Sequence, residues 1–73
     1  MRDYIKKLRD SAKMTQDDIA KKLGISRAYY VRIENGERQK DLDLSLVLNL
    51  SKIFGVPVDY IIAEEAKLKG NNV

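Results

Sequence analysis

Arg27 and Arg32 are the two side chains whose type and position most clearly suggest a chemical role. A guanidinium group is planar and can donate two parallel hydrogen bonds to O6 and N7 of a guanine, which is worth about 1 to 3 kcal/mol of discrimination. The same group also binds phosphate oxygens, which receive half or more of the hydrogen bonds in protein–DNA complexes. Base recognition is our interpretation, with phosphate binding or a solvated charge as the alternative, and Arg27 is the stronger candidate.

The neighbouring residues are of types that suit the same surface. Ala28 is small enough to contact a thymine methyl group, although it is equally well explained as a good helix former. Tyr29 can donate its hydroxyl to a phosphate, and Gln16, at a helix start, can contact the DNA backbone or act as a cap, a choice for which the family resemblance given below favours the contact. The predicted DNA-binding residues are Gln16, Ser26, Arg27, Ala28, Tyr29, Arg32, Asn35, Arg38 and Lys40. We expect the last three to hold the backbone, so that their loss weakens binding to all sequences alike.

These side chains are carried by the stretch from Thr15 to Gly36, which is predicted to form two short helices joined by a turn. Thr15 is a suitable N-cap, and Asp18 can return a hydrogen bond to it. Gly24 can adopt positive φ at a helix end at little cost, and Ser26 can cap the second helix. Such a pair of helices forms a helix-turn-helix unit, whose second helix can lie in the major groove of double-stranded DNA. The core positions predicted here are Ile19, Ala20, Leu23, Tyr30 and Ile33.

Further helices are predicted on both sides of this unit. In residues 3–12, apolar residues recur at helical spacing. In residues 42–54, the alternating leucines taken alone indicate a strand, but no second strand is available to pair with it. We therefore predict a helix that is capped by Asp43 and ends at Gly55, followed by a short fifth helix that starts at Pro57. The residues that fit one face of this helix are Leu44, Val47, Leu48, Ser51 and Phe54.

The chain is thus predicted to be all-α, a compact five-helix bundle. Residues 1–66 would form one helix-turn-helix domain and residues 67–73 a flexible tail. The fourth helix has more leucines than one buried face requires, so it is either buried on several sides or partly exposed for a partner. Apolar residues near the chain end predict a two-fold dimer interface, although each could equally close the core of the monomer. The predicted interface residues are Val56, Val58, Ile61 and Ile62.

Composition excludes several classes of function. None of the 73 residues is cysteine or histidine, which removes disulfides, thiol catalysis, most zinc sites and the usual general base. No apolar run approaches the roughly 18 residues of a membrane span, and the charged N-terminus lacks the apolar core of a signal peptide. The sequence therefore predicts a cytoplasmic binding protein without a cofactor or metal, rather than an enzyme or a membrane protein.

The distribution of charge is more informative than its net value of +3. Residues 20–40 contain six basic and two acidic residues. By contrast, residues 1–19 contain five basic and four acidic residues, and residues 41–73 contain three basic and five acidic residues. Positive charge is therefore concentrated on the predicted helix-turn-helix unit, as expected of a surface that binds phosphates. A merely solvated charged face is the alternative explanation.

From Ile5 to about Ile62, the sequence resembles the Cro and phage-repressor family of helix-turn-helix proteins. The matching features are Arg9 in the first helix, TQxxIAxxLG at 15–24, ISR at 25–27 and IENG at 33–36. The resemblance implies a five-helix domain, with Gln16 beside the DNA backbone and the side chains at positions 27, 28 and 32 facing base edges. It also implies that Arg9 pairs with Glu34. The segment ERQKDLD at 37–43 departs from the family pattern, because it is longer and lacks the usual proline.

Two classes of function follow from this reasoning. The first is a sequence-specific transcriptional regulator, acting as a repressor that binds a pseudo-palindromic operator as a homodimer. The second is a protein-interaction module on the same fold, for example an antitoxin that neutralises a protein partner through its leucine-rich C-terminal part. The two can coexist in one chain.

Overall fold

The computed structural model describes residues 2–37 and 42–70. All regular secondary structure in these ranges is helical, so the all-α prediction is confirmed. The five helices are α1 (Asp3–Ser11), α2 (Gln16–Leu23), α3 (Arg27–Asn35), α4 (Leu44–Phe54) and α5 (Val58–Gly70). They fall into two compact units, one containing α1 to α3 and the other α4 and α5.

Side-chain caps begin three of the helices where the sequence predicts them. The hydroxyl of Thr15 accepts a hydrogen bond from the backbone N–H of Asp18 (3.1 Å), whose carboxylate accepts one from the backbone N–H of Thr15 (2.9 Å). The hydroxyl of Ser26 accepts from the backbone N–H of Tyr29 at 3.1 Å, and Asp43 caps α4 in the same way. Each cap satisfies a backbone N–H that the helix itself leaves without a partner, so these caps explain where the helices start.

Glycines end both helices of the helix-turn-helix unit. Gly24, after α2, has a φ of +73°, and Gly36, after α3, has a φ of +82°. Left-handed backbone of this kind disfavours residues with a Cβ, and it lets the capping N–H bond the carbonyls of the last helical turn. The short turn from Gly24 to Ser26 therefore follows directly from local chemistry.

The first unit is built around α3, which packs against both α1 and α2. Each of its helices contributes two buried apolar or aromatic residues, and burying a large one of these is worth about 1.5 to 3 kcal/mol. The buried residues are Tyr4, Ile5, Ile19, Ala20, Tyr30 and Ile33. Leu23, which we assigned to the core, is only partly buried. This packing fixes which side of α3 is left for other contacts.

In the second unit α4 and α5 pack together, and only part of the leucine-rich α4 is buried. Leu46, Val47 and Leu50 are the buried residues of α4, whereas Leu44 is 70% exposed and Leu48 is 42% exposed. Part of this helix is therefore exposed, which is one of the two alternatives that its surplus of leucines left open. A helix with this many leucines carries more than one apolar stripe, so periodicity alone cannot select the buried one.

Helix α5 is longer than the short fifth helix expected from the sequence. It contains 13 residues and continues to Gly70, and thus includes the first residues of the segment that we assigned to a tail. Residues 71–73 lie outside the described part of the chain. None of the helices in the described ranges has both the length and the apolar character needed to cross a membrane.

Candidate nucleic-acid interface

Helix α3 has one buried side and one exposed side. Tyr30 and Ile33 are almost completely buried, at 0% and 1% exposure. On the other side Arg27, Ala28 and Arg32 are exposed, as are Ser26 and Asn35 at the two ends, while Tyr29 is half-buried. Ala28, Arg32 and Asn35 lie at helical spacing on one side of α3, and Arg27 is exposed in the first turn, so the exposed part of the helix carries two guanidinium groups.

The carboxylate of Glu34 is the centre of a hydrogen-bonded cluster beneath this surface. Its Oε2 accepts from Arg9 Nε at 3.1 Å and from the Tyr30 hydroxyl at 2.7 Å. Its Oε1 accepts from Arg9 Nη2 and from Gln16 Nε2, both at 3.3 Å. The Glu34 side chain is only 2% exposed, and that of Arg9 is 12% exposed. Arg9 and Glu34 thus form the ion pair that the family resemblance implies, and it joins α1 to α3.

The cluster favours the ionised forms of Glu34 and Arg9 and the neutral form of Tyr30. Burial alone raises the pKa of the Glu34 carboxyl, but the hydrogen bonds from Arg9 and Tyr30 and the charge of Arg9 outweigh it, so the net pKa is lowered. The hydrogen bond to Glu34 raises the pKa of Arg9, and burial together with the same carboxylate raises the pKa of the Tyr30 hydroxyl. Glu34 is therefore ionised and Tyr30 is neutral at pH 7.

Acidification is expected to remove the stability that ionised Glu34 contributes. Because its pKa is lower in the folded chain than in the unfolded chain, this contribution is complete above about pH 5 and is lost as the pH falls through the folded pKa. The free energy of unfolding, measured from about pH 7 to pH 3, should fall more steeply for the wild type than for Glu34→Gln, which cannot ionise. Equal slopes in the two proteins would contradict this assignment.

Gln16 connects the buried cluster to the exposed face of α3. Its Nε2 donates to Glu34, and its Oε1 accepts from Nη2 of Arg27 at 3.4 Å. A surface groove of about 460 Å³ lies at this point, and residues from all three helices of the first unit line it. The lining residues are Lys6, Arg9, Met14, Thr15, Gln16, Asp17, Arg27, Glu34 and Asn35. The structure therefore brings together three of the predicted DNA-binding residues, Gln16, Arg27 and Asn35, with both members of the ion pair.

Arg2 is a residue whose place in this region the sequence did not reveal. It is 3% exposed, its Nη1 donates to the carbonyl of Ile33 at 2.6 Å, and its backbone N–H donates to the carbonyl of Glu34 at 2.8 Å. Cationic donors at the last carbonyls of a helix stabilise it. In the sequence Arg2 is one of several N-terminal basic residues, and nothing local indicates a partner more than thirty positions away.

The remaining predicted site residues are two basic residues after α3 and the four residues assigned to a dimer interface. Arg38 and Lys40 lie outside the described residues. Val56 and Val58 are half-buried, and Ile62 is 52% exposed. Ile61, which we also assigned to a dimer interface, is 0% exposed, so the structure places it in the core. In a helix, neighbouring residues point about 100° apart, which allows Ile61 to be buried while Ile62 faces outward.

Comparison with known proteins identifies the family. Residues 5–61, more than three quarters of the chain, match the sequence profile described as helix-turn-helix. The chain belongs to this family. The helix-turn-helix geometry of α2 and α3, their turn at Gly24 and the resemblance to Cro and phage repressors are thereby confirmed.

Similar proteins include regulators from a bacterium and an archaeon. The helix-turn-helix protein is 38% identical over 92% of its length to the uncharacterized HTH-type transcriptional regulator YqaE of Bacillus subtilis. It is 38% identical over 89% of its length to the uncharacterized HTH-type transcriptional regulator MJ0272 of Methanocaldococcus jannaschii. The chain spans 56% of YqaE and 96% of MJ0272. No solved structure matches it.

Proposed function

We propose that this protein is a sequence-specific DNA-binding transcriptional regulator that occupies a pseudo-palindromic operator as a homodimer and represses transcription. Membership of the helix-turn-helix family supports DNA binding and regulation, as do relatives named as HTH-type transcriptional regulators. Repression is the form of regulation that requires only occupancy of the operator. The rest of the proposal concerns this chain's own residues.

The observation that carries the proposal is the exposed face of α3. Arg27 lies in the first turn of the helix, where recognition helices contact base edges, and Ala28 next to it lets the helix approach the groove closely. Arg32 is also exposed, five residues further along the helix. The guanidinium groups of Arg27 and Arg32 can each recognise a guanine through O6 and N7.

Electrostatics on α3 also favour DNA. Glu34 is the acidic residue of this helix, and an exposed carboxylate there would repel phosphates. Its burial and its pairing with Arg9 remove that repulsion. The exposed cations of α3 are thus left to attract DNA, and such charges raise both the affinity and the association rate.

Homodimer formation is proposed from the apolar residues of the second unit. Ile62 is 52% exposed, and Val56 and Val58 are half-buried, so part of each side chain is available to a second copy of the chain. A two-fold dimer would present two α3 helices to successive major grooves, about 34 to 36 Å apart. This geometry explains why the proposed operator is pseudo-palindromic.

Selection of bound sequences from random double-stranded DNA, carried out at two salt concentrations, tests the proposal. We expect one enriched motif with two-fold symmetry, half-sites about one helical turn apart, and tighter binding to paired half-sites than to one. Sedimentation at micromolar concentration should show a dimer. Binding without any preferred motif, lost steeply as salt increases, would indicate purely electrostatic association and overturn the proposal.

A protein-interaction module is the second candidate, and the exposed leucines of α4 favour it. Leu44 is 70% exposed and Leu48 is 42% exposed, one helical turn apart on the same side. Exposed apolar patches of this kind are typical of protein contacts. Co-purification of a stoichiometric second protein with the chain, and its release by Leu44→Ser, would support this function.

A further inference from the structure

We propose that Arg2 is a positioning residue for DNA binding, because it restrains the last turn of α3 and thereby the orientation of Asn35. This inference rests on the proposed function, in which the exposed side of α3 faces DNA and Asn35 holds the DNA backbone. The Arg2 side chain is 3% exposed, so it is buried too deeply to contact DNA itself. Its effect on binding must therefore pass through the backbone of α3.

Arg2 joins the start of α1 to the end of α3. Its carbonyl accepts a hydrogen bond from the backbone N–H of Ile5 at 3.1 Å, which makes Arg2 the residue that precedes the first turn of α1. Its backbone N–H donates to the carbonyl of Glu34 at 2.8 Å. Its side-chain Nη1 donates to the carbonyl of Ile33 at 2.6 Å. One residue thus holds both helices, and its guanidinium bonds the end of α3 directly.

The two carbonyls belong to the peptide groups that lead to Asn35. A peptide group is planar, so a hydrogen bond to its carbonyl oxygen restrains the orientation of the whole group. The Ile33 carbonyl lies in the group that joins Ile33 to Glu34, and the Glu34 carbonyl lies in the group that joins Glu34 to Asn35. Arg2 therefore restrains both peptide groups that precede the exposed side chain of Asn35.

The last turn of α3 benefits from an added donor. The final carbonyls of a helix lack intrahelical partners, and helix ends fray. The backbone N–H of Glu37 donates to the carbonyl of Arg32 at 2.8 Å. The backbone N–H of Gly36 donates to the carbonyl of Ile33 at 3.1 Å, and this oxygen has a second lone pair for Arg2. The positive charge of the guanidinium also suits the negative end of the helix.

Asn35 lies where such a restraint affects binding. Its side chain is exposed, and it lines the surface groove together with Gln16 and Arg27. A side chain that is already oriented loses less conformational freedom on binding than one on a frayed helix end. Because a contact to the DNA backbone carries no sequence information, loss of the Arg2 guanidinium should weaken binding to all sequences alike.

A double-mutant cycle with Asn35→Ala tests this role. Arg2→Met keeps a long side chain and the backbone N–H but removes the guanidinium donor. At one salt concentration, we expect it to raise the dissociation constants of the selected operator and of its single-base variants by a similar factor, about 2- to 10-fold. In the Asn35→Ala background, Arg2→Met should change these constants by less than about 2-fold, because the contact that Arg2 positions is already absent.

Hydrogen exchange measures the restraint without DNA. The backbone N–H groups of Gly36 and Glu37 bond the last turn of α3, so their hydrogens should exchange with solvent faster in Arg2→Met than in the wild type. Thermal unfolding establishes that the variant is folded at the temperature of the measurements. Arg2→Gln, whose side chain is shorter than that of arginine and uncharged, is the second variant if Arg2→Met does not fold.

Lys7→Met is the matched control for the loss of one positive charge. Lys7 is an exposed residue of α1, and any effect of its charge on DNA should be the same with and without Asn35. Equal weakening by Arg2→Met in the two backgrounds would place Arg2 in the same class as this control, with an effect of charge or overall stability only. That result would overturn the positioning role.

The outcomes that would overturn the inference differ from those that would overturn the proposed function. Unchanged affinity in a folded Arg2 variant would overturn the positioning role alone, and so would unchanged exchange at Gly36 and Glu37. Wild-type affinity in Asn35→Ala would do the same, because Arg2 would then have no contact to position. Absence of any preferred sequence would overturn the proposed function, whereas the coupling between Arg2 and Asn35 would still be expected on nonspecific DNA.

Discussion

Replacing Glu34 by alanine is expected to destabilise the folded chain by about 3 to 5 kcal/mol, because it breaks a buried ion pair and leaves the other charge without a partner. The Arg9 side chain is 12% exposed, so its guanidinium would lose its counter-ion in a poorly solvated position. The Tyr30 hydroxyl and the Gln16 amide would lose an acceptor in the same step. Since domains of this size are stable by only about 5 to 15 kcal/mol, the loss should be evident in any unfolding measurement.

Urea unfolding at pH 7 measures this effect, and Asp17→Ala is a matched control. Asp17 also forms an ion pair, with Lys21 at 3.1 Å, but the two side chains are 51% and 77% exposed. Exposed pairs contribute little, so the control should lose no more than about 1 kcal/mol. Equal losses in the two variants would show that the Glu34 cluster contributes no more than a surface pair. We further expect Glu34→Ala to change stability more than base preference.

Replacing Arg27 by alanine is expected to remove about 1 to 3 kcal/mol of discrimination at one base pair of each half-site, which is the value of a bidentate arginine–guanine contact. Arg27 is exposed in the first turn of α3, and Gln16 holds its Nη2. Binding to sequences altered at that base pair should hardly change, because the contact is already absent there. The measurement is the ratio of dissociation constants for the selected operator and for single-base variants at one salt concentration.

Asn35→Ala provides the contrast for Arg27→Ala. Asn35 is exposed at the end of α3 and is predicted to contact the DNA backbone. Its loss should weaken binding to all operators by a similar factor and leave the ratios unchanged. If Arg27→Ala behaved in the same way as Asn35→Ala, Arg27 would be a phosphate contact, which is the alternative that its residue type leaves open.

Local chemistry made much of the fold predictable from the sequence. A capping box needs only Thr15 and Asp18, and a left-handed helix end needs only a glycine such as Gly24, because each device involves residues within one helical turn. For residues 44–54 the alternating leucines alone indicated a strand, and the lack of a second strand to pair with it favoured the helix that forms. Motifs that extend over the helix-turn-helix unit were sufficient to indicate the family that the comparisons confirm.

The identity of the buried residues and the contacts between helices could not be predicted from the sequence, because they depend on residues that lie far apart in the chain. The sequence by itself determined where α2, α3 and α4 begin and end, and it predicted which helix contacts DNA. It could not determine that Leu46 rather than Leu44 is buried or that Ile61 belongs to the core, since several apolar stripes satisfy the same periodicity. It also could not show that Arg2 bonds the last carbonyls of α3 or that Gln16 lies between Glu34 and Arg27. These contacts exist only once three helices have packed, and they join the stability of the first unit to its predicted DNA-binding surface.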